Sequence, residues 1–210
     1  MTTVTRGVLA GVIAVGVAGL FAGCSDTSTD PPTPVAASSG TIVGATSGAA
    51  ATETNPAGDI PDNQAFVDFR PTDGGYSVVI PEGWARTEGA AGTVFTDKYN
   101  TITVNAGADP SAPTVESVQA SEVPQIQAAS TGYQPGSVST VQRTAGTAVL
   151  ITYRADSPPS PVTGKVAALE VEQYEFWRAG TRVMLTLSAP VGSDNVDPWR
   201  TVTDSFRWSP

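Results

Sequence analysis

The 210-residue chain contains no histidine and only one cysteine, and its 11 lysines and arginines face 20 acids, for a net charge of −9. Without histidine there is no Ser-His-Asp or Cys-His nucleophile, no histidine-ligated zinc, copper or non-haem iron, and no usual proton shuttle at neutral pH. Basic residues are too few and too scattered to hold a phosphate backbone, and the sequence pI of about 4.3 agrees. Nucleic acid is excluded as a partner. The sequence also lacks a G-x-S-x-G elbow, an S-x-x-K dyad, a P-loop, a G-x-G-x-x-G turn and an EF-hand loop. The reading is therefore of a non-enzymatic protein with no cofactor and no metal.

What is present begins with an export signal. Arg6 is the only charge before Asp26, and Gly7 to Gly23 is an apolar run ending in Leu20-Phe21-Ala22-Gly23-Cys24. A run of about 17 residues is at the lower limit for a retained span, so the cysteine decides between anchor and signal. Leu-Phe-Ala-Gly-Cys resembles the lipobox of bacterial lipoproteins, which implies cleavage before Cys24 and a diacylglycerol on its thiol. The competing reading is a buried thiol. Two acyl chains, at about 0.8 kcal/mol per buried CH2, hold a protein stably without a basic patch. Residues 1–23 are thus expected to be a signal peptide, with the mature protein on the extracytoplasmic face of the membrane.

Residues 24–63 read as the lipidated cysteine followed by a spacer. Ser25 to about Asn63 is rich in Thr, Ser, Ala, Pro and Gly and has no aromatic residue. Such a stretch cannot bury enough apolar surface to offset its ordering entropy, so it is expected to be disordered with a reach on the order of 35 Å. Its Thr/Pro-rich start suits either an O-glycosylated stalk or an unmodified spacer. All four tryptophans, all five tyrosines and five of six phenylalanines follow Asn63. Residues 64–210 are expected to form one domain that folds without the spacer.

Alternation and turns set the expected elements. Tyr76, Val78 and Ile80 alternate into Pro81-Glu82-Gly83-Trp84. Val94–Tyr99 and Thr101–Ala106 read as strands about Asn100. Ser137–Arg143 with Thr147–Arg154, and Val166–Arg178 with Thr181–Ala189, read as hairpins around Ala145-Gly146 and Ala179-Gly180. Val115, Val118, Val123 and Ile126 recur at helical spacing, with Pro124 expected to break the helix in two. Asp197 as N-cap and Pro198 at the first position predict a second helix carrying Trp199, Val202 and Phe206 on one face. Val149, Ile151 and Tyr153 oppose Leu150, and Val183, Leu185 and Leu187 oppose Met184, so neither face of the sheet is left to water. The fold class is α+β: a mainly antiparallel sheet with helices on both faces.

Gly75-Tyr76-Ser77-Val78-Val79-Ile80-Pro81-Glu82-Gly83-Trp84 and Thr203-Asp204-Ser205-Phe206 carry a resemblance to the Mog1/PsbP-like α/β/α sandwich over roughly residues 66–208. Together with the lipobox and spacer, the chain resembles the actinobacterial LpqN/LpqT type of exported lipoprotein. The resemblance implies a part in cell-envelope biogenesis and contact with lipid-export machinery. It supplies no catalytic residues.

Two side-chain groups invite a function. Glu170 and Glu172 share one strand face and, with Glu175, could bind a hard cation or act as an acid/base pair; alternating glutamates are more often a strand's wet face. Phe176 and Trp177 are adjacent on a strand and must point to opposite faces, so one of them leaves the main core layer and can meet a ligand or partner. Trp84, after its turn, is a third contact candidate; core packing is the competing reading for all three. The leading function is a membrane-anchored envelope lipoprotein that binds a protein partner or apolar envelope ligand. The alternatives are a carboxylate-based hydrolase of envelope glycans and an inert spacer.

Overall fold

The computed structural model describes residues 58–72, 74–89 and 92–210. The apolar run, Cys24 and most of the spacer lie outside the described residues. The elements are β1 (Phe66–Phe69), β2 (Tyr76–Pro81), β3 (Ala85–Gly89), β4 (Gly92–Asp97), β5 (Asn100–Ala108), α1 (Val115–Ala129), β6 (Gln134–Arg143), β7 (Gly146–Asp156), β8 (Ala168–Arg178), β9 (Thr181–Pro190), α2 (Val196–Ser205) and β10 (Arg207–Trp208).

Tight turns dictate the sheet. Arg178 pairs with Thr181 across Ala179-Gly180, both of which have positive φ (49° and 82°), the geometry that twists two strands into a hairpin. Similar two-residue connections join β4 to β5 and β6 to β7. The result is a seven-stranded sheet in the order β3-β4-β5-β9-β8-β7-β6, antiparallel at every pairing. A smaller antiparallel sheet, β1-β2-β10, was not anticipated in full, because β1 and β10 are short and carry little alternation.

Both faces of the large sheet are covered, as the two-sided apolar pattern requires. On one face Val118 of α1 packs against Val149 and Ile151 of β7. On the other, Trp199 and Val202 of α2, Phe206, and Tyr76, Val78 and Ile80 of β2 form one core with Ile102, Val104, Tyr174, Phe176, Val183, Leu185 and Leu187. The protein is an α+β fold with a helix on each face, the second face being shared between a helix and a small sheet.

Three expectations are corrected. Pro124 does not split α1, which runs unbroken from Val115 to Ala129 under a reciprocal Thr114–Ser117 capping box. Pro124 and Ala120, whose carbonyl loses its partner, are both exposed, so water can serve the freed acceptor. Secondly, α2 is capped at Asn195 rather than Asp197, and the Asn195 side chain makes no cap bond. It accepts instead from the Ile60 amide at 2.7 Å and donates to the Gly58 carbonyl at 2.9 Å.

That contact makes the third correction. Gly58 to Asn63, read as spacer, belongs to the fold: Ile60 is 4% exposed and sits in the main core. The Asp59 carboxylate accepts from the Asp194 amide at 3.0 Å, and a Cβ on Gly58 would lie 2.4 Å from Ser193 Oγ. A chain starting at residue 64 is therefore expected to melt several degrees below one starting at residue 58. Ile60→Ala should cost about 2–4 kcal/mol in denaturant titration. Equal midpoints for the two chains would show that the segment contributes nothing.

Candidate functional site

The β7–β8 ladder ends at Ala148↔Phe176, yet β8 continues to Arg178 while β7 begins at Gly146. The two strands diverge, and a cleft of about 520 Å3 opens between them. Its walls are the turn Ala145-Gly146-Thr147, the segment Ala112–Glu116 leading into α1, and two half-buried tryptophans, Trp177 and Trp208.

Each tryptophan is positioned by a specific contact. Trp177 Nε1 donates to the Asp109 carbonyl at 2.9 Å, and the Asp109 amide donates to the Gly180 carbonyl at 2.9 Å. One lip of the cleft is thereby fastened to the β8–β9 turn. The Arg178 guanidinium lies 5.3 Å from the centre of the Trp208 ring and donates to the Ser209 carbonyl at 2.5 Å, holding the other lip.

Glu175 reaches the cleft from beneath. Its side chain is fully buried and sits among Gln173 of its own strand, Arg182 of β9 and Glu122 of α1. Gln173 Nε2 donates to Glu175 at 3.0 Å, and Arg182 approaches Glu175 at 3.3 Å, Asp109 at 3.3 Å and Glu122 more closely still. Burial pushes the Glu175 carboxyl up to about 8, with the neighbouring Glu122 adding to the rise. At neutral pH Glu175 is mostly protonated and can donate to Glu122. The floor of the cleft is then uncharged.

The contact candidates separate cleanly. Phe176 is 1% exposed, stacked 4.2 Å from Phe206, and belongs to the core. Trp84 packs partly against that same core, away from the cleft. Only Trp177 is placed on a cavity wall with its ring half open. The three glutamates do not converge, because strand alternation sends Glu175 to the α1 face and Glu170 and Glu172 to the α2 face.

Glu170 and Glu172 do line one hollow on their own face. There Glu170 accepts from Arg154 at 2.6 Å and Glu172 from the Tyr174 hydroxyl at 2.6 Å. Glycoside cleavage needs one carboxyl that carries a proton beside one that does not. Glu175, whose burial favours the proton, is on the far side of the sheet and joins neither Glu170 nor Glu172 in one hollow. The Arg182 cluster itself was not foreseen: its members, at 109, 122, 175 and 182, meet only through tertiary packing.

No protein-family model and no curated protein matches the chain. Among solved structures it is similar to the PsbP protein of the cyanobacterium Synechocystis (16% identity, 74% of this chain and 99% of that one, TM-score 0.45). It is also similar to the Ran-binding protein Mog1p of Saccharomyces cerevisiae (11%, 69% and 95%, TM-score 0.46). A third is LpqN of Mycobacterium tuberculosis, described as involved in cell envelope biogenesis (14%, 71% and 93%, TM-score 0.44). The chain covers about half, 48%, of a further match from Bacteroides thetaiotaomicron. At such identities no residue's role transfers.

The Glu175 cluster makes stability depend on pH. A carboxyl whose folded pKa lies above its unfolded value binds more protons in the native state, so stability falls as pH rises between about 4.5 and 8. The slope from this one group is at most about 1.4 kcal/mol per pH unit. Glu175→Gln keeps a neutral donor and is expected to flatten that decline, with its largest gain over the wild type near pH 8 to 9 in urea titrations. A wild-type-like decline in the variant would locate the pH dependence elsewhere. Arg182→Ala, which removes the one cation beside Glu122 and Asp109, should cost about 3–5 kcal/mol at neutral pH.

Proposed function

We propose that this protein is a lipid-anchored, extracytoplasmic binding protein whose cleft beside Trp177 receives an extended apolar segment of an envelope protein. The divergence of β7 from β8 is the observation that carries the reading. It leaves the β7-facing edge of β8 without a strand partner at Trp177, whose other edge pairs with Arg182 of β9, beside walls that mix Pro113 and Trp208 with Thr147 and Glu116. A main chain can use both the donors and the acceptors of a free strand end, whereas an acyl chain uses neither; that favours peptide over lipid. The tether rests on the sequence: a lipobox-like pentapeptide ending in Cys24, then a polar spacer. Anchoring to the membrane, by two acyl chains, sets the compartment in which the partner is met.

Capture can be measured with a photo-crosslinking side chain at Thr147, on the wall facing Trp177, in the full-length protein in its own envelope. A protein adduct is expected from position 147, absent from a control at Lys165, and lost when Trp177→Ala is added. The tryptophan substitution should itself cost about 2–4 kcal/mol, since the ring is partly buried and one hydrogen bond is lost. Adducts to lipid alone, or capture per folded molecule that survives Trp177→Ala, would remove the cleft from the function. Separately, Cys24→Ser is expected to leave an unprocessed or released protein with an unchanged melting temperature. Normal processing and detergent partitioning of that variant would refute lipidation.

A further inference from the structure

Among the described residues the exposed large apolar side chains are Val67, Val162, Val166, Val191 and Val196, and four of these five gather at one end of the domain. The connection from β7 to β8 is closed at its base, where the Ser157 amide donates to the Ala167 carbonyl at 2.8 Å, and again where the Ser160 amide donates to the Lys165 carbonyl at 2.9 Å. These bonds make the loop a fixed projection, with Val162 at its tip, 90% exposed, and Val166 on its return, 51% exposed. Val191 is beside them, because its amide donates to the Ala168 carbonyl at 2.9 Å. Val196 opens α2 next to Asn195. The chain enters at the same end: Asn195, which clasps the Gly58 carbonyl, also donates to Asn100 Oδ1 at 3.4 Å at the start of β5, and Gly58 abuts Pro190 at the end of β9.

Single exposed valines are ordinary, but four around the point where a tether arrives are not scattered. Charge does not account for them. Lys98 and Lys165 are met at this end by Asp59, Asp97, Asp156 and Asp194, so anionic lipid is not attracted. We infer that this end of the domain rests on the membrane, its valines at the boundary between headgroups and acyl chains. The inference takes over the lipid tether of the proposed function, and the tether names the occupant. Through a spacer whose coil reach is on the order of 35 Å, the bilayer is the surface this end meets most often, at a high effective concentration. A few apolar contacts then suffice, as they would not for a free protein. The seating also orients the cleft. Because β8 runs from Ala168 at this end to Arg178, a domain placed so carries Trp177 about 30 Å away from the membrane.

The test uses the full-length lipidated protein in phosphatidylcholine vesicles that contain a nitroxide-bearing phosphatidylcholine. A fluorophore is attached at Val162→Cys or, as a control, at Thr144→Cys, an exposed position in the β6–β7 turn at the far end of the sheet. A lipidated Cys24 takes no label. Quenching by the nitroxide is expected at position 162 and not at 144. Val166→Ala with Val191→Ala should lower the ratio of membrane-seated to free domain about tenfold, with the melting temperature near that of the parent, because both side chains are already exposed. Adding phosphatidylglycerol should not raise the quenching. Equal quenching at 162 and 144, quenching that requires phosphatidylglycerol, or quenching unaltered by the two alanines would overturn the inference and leave the tether standing. A second label on the chain, at Cys24, would overturn the tether and the inference with it.

Discussion

Phe206 is the side chain on which the two sheets depend. It ends α2, directly precedes the two residues of β10, and has no exposed surface. Its ring stacks on Phe176 of the large sheet at 4.2 Å, on Tyr76 of the small sheet at 5.7 Å, and meets Trp208 edge-on at 5.2 Å. Offset and edge-on aromatic contacts add to the burial energy and, unlike aliphatic packing, constrain orientation. Fixing Phe206 therefore fixes where α2 stops, which strand β10 joins, and where Trp208 stands. The lip of the Trp177 cleft is a consequence of core packing.

The opposite face is held by a different physics. There α1 buries few apolar side chains, and the polar cluster around Arg182 carries much of the contact between α1 and the sheet. A wholly buried carboxylate beside two other acids and one guanidinium would be costly; protonation of Glu175 removes that cost and leaves Arg182 to bridge Glu122 and Asp109. Because Asp109 also receives Trp177 through its carbonyl, the same cluster that seats the helix fixes the cleft's other lip.

The parts legible in the sequence were those written in local periodicity. Alternation in β2, β7, β8 and β9 and the Ala-Gly turns gave the hairpins, and the rule that neighbours on a strand face apart placed Phe176 and Trp177 on opposite sides. Illegible were features whose cause lies far along the chain. Ile60 sits in a polar, aromatic-free stretch, and nothing nearby marks it as core; only Asn195, 135 residues later, reveals its place. The start of α2 was misplaced at Asp197 for the same reason: Asn195, where the helix begins, spends its side chain on distant backbone and gives no local capping signal. Pro124 was overread because a proline's cost depends on whether the orphaned carbonyl faces water, which sequence does not show. The charges at Glu122, Glu175 and Arg182 belong to different elements and carry no shared spacing.

The attachment at Gly58 has a mechanical side. Among the described residues the chain enters the domain at Gly58, where Asn195 clasps it through the Gly58 carbonyl and the Ile60 amide. Those bonds, with the burial of Ile60, act as a strain relief: they must yield before force reaches β1. Asn195 also stands at the start of α2 and on the wall of the hollow that holds Glu172 and Trp199. A displacement of the chain at Gly58 is thus passed through one side chain to the wall of that hollow.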